Sequence, residues 1–222
     1  SRPTRKLSSL NWGSRATSAL RIHTARVARV LRGGAGGTLI GMNSLVAQSL
    51  PVGPLVTLRL PEERDLDPLV ATLSEPEVAE WWVGYTPERV QAEMIDAPDI
   101  TRIIEVEGQT AGLLYVIRGT DPEYPTTVIH WFLATRFRGR RIGEEALALA
   151  IRGEFADGIT RITLDPNAKN LGAIRSYERL GFVPIGILRD YQVRPDGSLD
   201  DALFMDLTRR DFPDGPPLPV RE

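Results

Sequence analysis

LDPNAKNLGAIRSYERLGF, residues 164–182, carries a strand end, a short helix and a stop in one stretch. The strand-like run ends at Asp165-Pro166, and the helix runs from Asn170 to a stop at Gly181-Phe182. Asn170 suits an N-cap, because its side chain can accept from backbone N–H groups two or three residues on. Gly181 suits the left-handed position just past a helix end. Ala173, Ile174, Tyr177 and Leu180 share one face. On spacing alone Tyr177 reads as a core tyrosine. Its hydroxyl would instead be a general acid if a leaving thiolate stood beside it.

Outward from this stretch, the pattern alternates between two periods. LVTLRL (55–60), TTVIHWFL (126–133) and ITRITL (159–164) read as strands, and TRIIEVEGQTAGLLYVI (101–117) as two strands around a Glu-Gly turn. VPIGILRDYQV and LDDALFMDL flank Asp196-Gly197, a hairpin signal. Leu66, Leu69, Val70 and Leu73 are spaced as a helix, and so are Ile142, Ala146, Leu149, Ala150 and Ile151. Pro87 and Glu88 suit the first turn of another helix, reaching about Ala97. Helices thus interrupt a mostly antiparallel sheet. The expected class is α+β, or mixed α/β, in a domain spanning 55–212.

Composition narrows the chemistry. There is no cysteine, which excludes disulfides and thiolate nucleophiles, and His23 and His130 are the two histidines, so no metal site is expected. No apolar run reaches 18 residues, so no membrane span is expected. Residues 1–50 hold eight basic residues and no acidic one. The remaining 19 basic against 29 acidic residues leave the rest of the chain at −10, which suits a cationic small molecule better than nucleic acid. A basic, acid-poor lead of this kind reads as a targeting segment, as an arm for RNA or acidic lipid, or as sequence upstream of a native start at Met42. The last of these is adopted here, with residues 1–54 as an extension and 213–222 as a proline-rich tail. The expected setting is cytoplasmic, and monomer and homodimer stay open.

Four places can carry chemistry. Arg138, Gly139, Arg140, Arg141, Ile142 and Gly143 join a strand to a helix start, where free N–H groups, glycines and guanidinium groups suit a pyrophosphate. A glycine turn with solvated arginines is the alternative. The 164–182 helix is the second place. Trp81 and Trp82 with Tyr85 are the third: adjacent tryptophans outside a clear strand cannot both face one core, so one is free to line a pocket. His130 is the fourth. It alternates with Ile129 and Trp131 along its strand and lies a few residues from the anion loop, where an imidazole is a usable base.

These pieces resemble the GNAT family of acetyl-CoA-dependent N-acyltransferases, whose cofactor loop reads Gln/Arg-x-x-Gly-x-Gly/Ala before a helix. Here it is Arg138-Gly139-Arg140-Arg141-Ile142-Gly143, with Arg141 in place of the central glycine. The family's second pattern is matched at Asn170, Ala173, Tyr177, Glu178, Gly181 and Phe182. Within the family, VTLRL, the EWW stretch with Gly84 and the 164–182 run look most like aminoglycoside 6′-N-acetyltransferases, although His130 stands where those enzymes tend to carry an Asp. RDYQVRPDG (189–197) is also common among members that acetylate protein N-termini.

The resemblance implies a GNAT fold, a central, mostly antiparallel twisted sheet flanked by helices. It also implies acetyl-CoA on Leu133, residues 138–143, Asn170, Ala173 and Tyr177. His130, or Asp165 through a water, would take the amine's proton, and Tyr177 would protonate the departing thiolate. Glu80, Glu123, Asp165, Trp81, Trp82 and Tyr85 would line the place of a cationic amine. Aminoglycosides are the expected acceptors; protein N-termini, polyamines and a non-catalytic acyl-CoA-binding module are the alternatives.

Overall fold

The computed structural model describes residues 52–212. The expectations for residues 1–51 and for the tail from Pro213 lie outside them. Seven strands form one sheet: β1 (Thr57–Arg59), β2 (Thr101–Val106), β3 (Gln109–Arg118), β4 (Thr126–Leu133), β5 (Arg161–Leu164), β6 (Val183–Val193) and β7 (Leu199–Thr208). Their order is β1-β2-β3-β4-β5-β7-β6. All neighbours are antiparallel except β4 and β5. That parallel pair needs a crossover, which is α4 (Ile142–Ala156). The other helices are α1 (Leu66–Leu73), α2 (Pro76–Ala79), α3 (Pro87–Val90, continued by a π turn over Gln91–Ile95) and α5 (Leu171–Arg179). Among the described residues no helix is long and apolar enough to cross a membrane.

Strand alternation sorts the core into two clusters, one on each face of the sheet. Ile104, Leu114, Ile129 and Leu133 join Ile142, Leu147 and Ile151 of α4 and Ile174 and Tyr177 of α5. Ile103, Leu113, Tyr115 and Phe132 join Leu69 and Leu73 of α1, Val78 of α2 and Val90 of α3. The mixed α/β class is as expected. Three details differ. β1 is shorter than 55–60, because the N–H groups of Leu55 and Val56 donate to Glu145 at 2.8 and 2.9 Å instead of joining the sheet. The helix from Pro87 widens to a π turn, closed by Asp96 N donating to Gln91 O. A short helix also forms at Pro76–Ala79, with proline at its first turn.

The strand that matters most is β4. It pairs with β3 along Thr127–Leu133, yet with β5 only from Thr126 to Val128. Past Val128 the two strands part. Close approach of β3 holds β4 in place: a Cβ on Gly112 would lie 2.1 Å from the Phe132 carbonyl oxygen. A backbone atom cannot yield to such a contact. Gly112→Ala is therefore expected to cost about 2 kcal/mol or more, read as a lower urea midpoint at unchanged slope.

Candidate active site

Two faces of the sheet meet where β4 and β5 part. On the α4–α5 face, Tyr177 is buried and packs edge-on to Trp131, centroids 6.4 Å apart. Its oxygen accepts from Trp131 Nε1 at 2.9 Å, which leaves its own O–H to donate. Burial pushes this phenol above its ordinary value, and the Asp165 charge adds to that, so it stays protonated at neutral pH. The helix that carries it is built as expected. Asn170 Oδ1 accepts from Ala173 N at 3.1 Å, and Gly181 takes the left-handed conformation at φ 95°.

On the other face stand His130 and Asp165, which directly follows β5. His130 Nδ1 lies 3.5 Å from Asp165 Oδ1, and both side chains are partly exposed. Tyr191 of β6 donates its hydroxyl to Asp165 Oδ2 at 2.5 Å. Tyr115 is the cross-strand neighbour of His130, and Trp82 stacks on Tyr115 with centroids 6.1 Å apart. Trp82 also lines a cleft of about 420 Å³ with Glu80, Tyr85, Arg194 and others. An aromatic wall therefore runs from the cleft toward His130.

The expected acceptor residues divide. Glu80, Trp82 and Tyr85 line the cleft. Trp82 is at the same time a core anchor against Phe132, and Tyr85 sits under the Arg89 guanidinium, 3.9 Å from its ring centre. Burial pushes the Tyr85 hydroxyl up to about 12. Trp81 turns away beneath Arg194, 5.7 Å from its ring centre. Glu123 does not join them. It is exposed in the β3–β4 loop, at the opposite end of β4 from Leu133. Solvated loop carboxylates carry no periodicity that would have placed it.

Residues the sequence reading passed over hold the cleft together. Arg194 Nε pairs with Asp200 at 2.7 Å, and its Nη1 donates to the Glu80 carbonyl. Asp200 also accepts from Lys169 and, at 2.9 Å, from Asn167. The β6–β7 hairpin is thus tied to the loop that carries Glu80 and to the turn before α5. The Asp-Gly turn located the hairpin, but no local pattern shows that Arg194 reaches residue 80. Lys169 and Asn167 hold the Asp200 carboxyl below its ordinary value. A carboxylate favoured by the fold stabilises it above the unfolded value, about pH 4. That contribution disappears as pH falls through the lower folded value. Urea unfolding between pH 7 and 3 should show a shallower acid decline in Asp200→Asn than in the native sequence.

The 138–143 loop is only partly the expected cradle. Gly139 has φ 74° and nothing within 4 Å of where a side chain would begin, so a ligand can approach its backbone. Arg140 and Arg141 are exposed at the start of α4. Arg138 is instead folded back, Nε donating to the Leu133 carbonyl at 3.3 Å. Ile142 is core. Gly143 makes room for protein, not ligand: a Cβ there would lie 2.5 Å from the Trp131 ring. Arg141 has φ 59°, the conformation for which its missing glycine is suited. A non-glycine residue there costs about 1 kcal/mol, offset in part by Glu144 at 3.5 Å. Arg141→Gly should leave the melting temperature unchanged or slightly raised.

Residues 56–183 match the model of the acetyltransferase (GNAT) domain. The chain belongs to that family. Its relatives include the aminoglycoside N(6′)-acetyltransferase type 1 of Klebsiella pneumoniae, 30% identical over 71% of this chain and 85% of that protein. Aminoglycoside acetyltransferase AAC(6′)-Ib in complex with coenzyme A superposes with a TM-score of 0.58 at 29% identity, covering 71% of this chain and 97% of that one. Mycobacterium smegmatis RimJ in complex with CoA-disulfide superposes with a TM-score of 0.64 at 22% identity over 73% and 89% of the two chains, a likeness of fold. In this GNAT domain the β4–β5 pairing ends at Val128, and a glycine-bearing loop leads into α4.

Proposed function

We propose that this acetyltransferase moves the acetyl group of acetyl-CoA to the 6′-amine of an aminoglycoside. One observation carries the reading: His130 and Tyr177 stand on opposite faces of the sheet where β4 and β5 part, and the aromatic cleft opens on the side of His130. An acyl donor entering from the α4–α5 face and an amine entering from the cleft would meet in that gap. The exposed loop at Gly139 and Arg140 suits the donor's pyrophosphate, and the unpaired length of β4 suits its pantetheine arm. Asn170 and Ala173, at the first turn of α5, stand on the same side. Acetyl-CoA supplies the acyl carbon and a thiolate leaving group. The ammonium gives its proton to His130, backed by Asp165. The N–C bond forms as the C–S bond breaks, the thiolate takes the hydroxyl proton of Tyr177, and the proton that the nitrogen sheds on becoming an amide restores that hydroxyl. Each proton transfer contributes about 10²–10⁴-fold. The 30%-identical aminoglycoside N(6′)-acetyltransferase supports the choice of acceptor.

A second reading takes a peptide N-terminus or a polyamine as acceptor. The peptide N-terminus, with its single charge, is favoured over a polycation by the cleft, whose lining includes one carboxylate, Glu80, alongside Arg194. A panel of aminoglycosides, polyamines and N-terminal peptides, assayed for CoA release, separates the two. Turnover confined to peptides would overturn the aminoglycoside reading, and tight acetyl-CoA binding without CoA release would overturn both. Tyr177→Phe should lower kcat about tenfold or more with little change in the KM for acetyl-CoA; unchanged turnover would return Tyr177 to a packing role.

A further inference from the structure

We propose that Tyr191 is a positioning residue. Its hydroxyl fixes the Asp165 carboxylate so that the second oxygen stands against Nδ1 of His130. This leaves Nε2 to accept the amine's proton. The proposal rests on the acetyl-transfer reading of the site.

Three observations converge on it. First, Asp165 follows β5, whereas Tyr191 belongs to β6, the edge strand beyond β7. Two strand spacings, about 9–10 Å, separate them, and the tyrosine and aspartate side chains, with the hydrogen bond between them, together bridge that distance. Second, the backbone is bent to deliver it. The β6–β7 register breaks between Leu188 and Gln192, and Asp190 takes a left-handed φ of 54°. The Asp190 N–H donates to Asp201 Oδ1 at 2.9 Å, which pins the bulge. A bulge re-aims the side chains around it, and here the next one is Tyr191. Third, the two oxygens of Asp165 are divided: Oδ2 accepts from Tyr191 at 2.5 Å, and Oδ1 faces His130 at 3.5 Å. A carboxylate beside Nδ1 favours the tautomer protonated there, as in other carboxylate–imidazole pairs. An aspartate at a strand end, held by one partner, would rotate away from that register.

The test uses the full chain labelled with 15N-histidine. Two imidazoles report, His23 and His130, and His23→Gln assigns them. Tyr191→Phe should move the His130 ring nitrogens and leave those of His23 in place. Tyr124→Phe, at another exposed tyrosine, should move neither. With the acceptor found by the panel, Tyr191→Phe should lower kcat about fivefold or more, with the KM for acetyl-CoA within about twofold. In an Asp165→Asn background the same change should alter kcat by less than about twofold. His130 resonances that do not move in Tyr191→Phe overturn the proposal, and so do losses that multiply in the double variant. If no amine releases CoA, the acetyl-transfer reading fails by itself; the resonances still decide whether Tyr191 orients the pair.

Discussion

The pairing of β4 with β5 ends at Val128, and the site depends on that ending. A continuous sheet keeps its two faces apart, so groups on opposite sides never address one substrate. In the proposed site that ending lies beside Tyr177 and His130, which belong to opposite faces of the sheet. The constraints around it keep β4 straight while its neighbour leaves. β3 approaches closely at Gly112, the Trp131 ring fills the space over Gly143, and α4 and α5 cover that face. Packing on both faces thus fixes β4.

Polar contacts do comparable work at the outer ring of the cleft. Arg194 and Asp200 link the hairpin to the backbone of residue 80, and Asn167 and Lys169 extend the link to the turn before α5. The hairpin also carries Gln192, which joins Asn167 at 3.2 Å and the Trp81 carbonyl at 3.4 Å. Loop, hairpin and helix therefore meet through a shared buried carboxylate. Asp200 is 4% exposed, and three donors compensate the loss of water around its charge.

What could be read from the sequence was local. The cap at Asn170, the stop at Gly181, the Asp-Gly turn and the alternation along TTVIHWFL each depend on neighbours within a few residues, and each stands where its pattern put it. The grouping of Tyr177 with the anion loop came from the family pattern. What escaped was set by distance in sequence. Arg194 reaches residue 80, and Trp131 dictates the glycine at 143, through contacts that no periodicity encodes. The left-handed turn at Asp190 is likewise invisible in a stretch that reads as plain strand. Glu123 shows the converse: a carboxylate chosen for its charge alone went to solvent.

Glu145 has a wider consequence. It lies in the first turn of α4, two residues from the glycine that accommodates Trp131. One of its oxygens grips the N–H groups of Leu55 and Val56, and Gly53 lies so close that a methyl group there would collide with it. The chain entering β1 and the loop leaving β4 are thereby joined through one carboxylate. Strain introduced at Gly53 would therefore reach the start of α4 through that carboxylate, which lies 90 residues beyond Leu55 in sequence. A larger residue at position 53 would disturb the first turn of α4 without any change in the loop that leads into it.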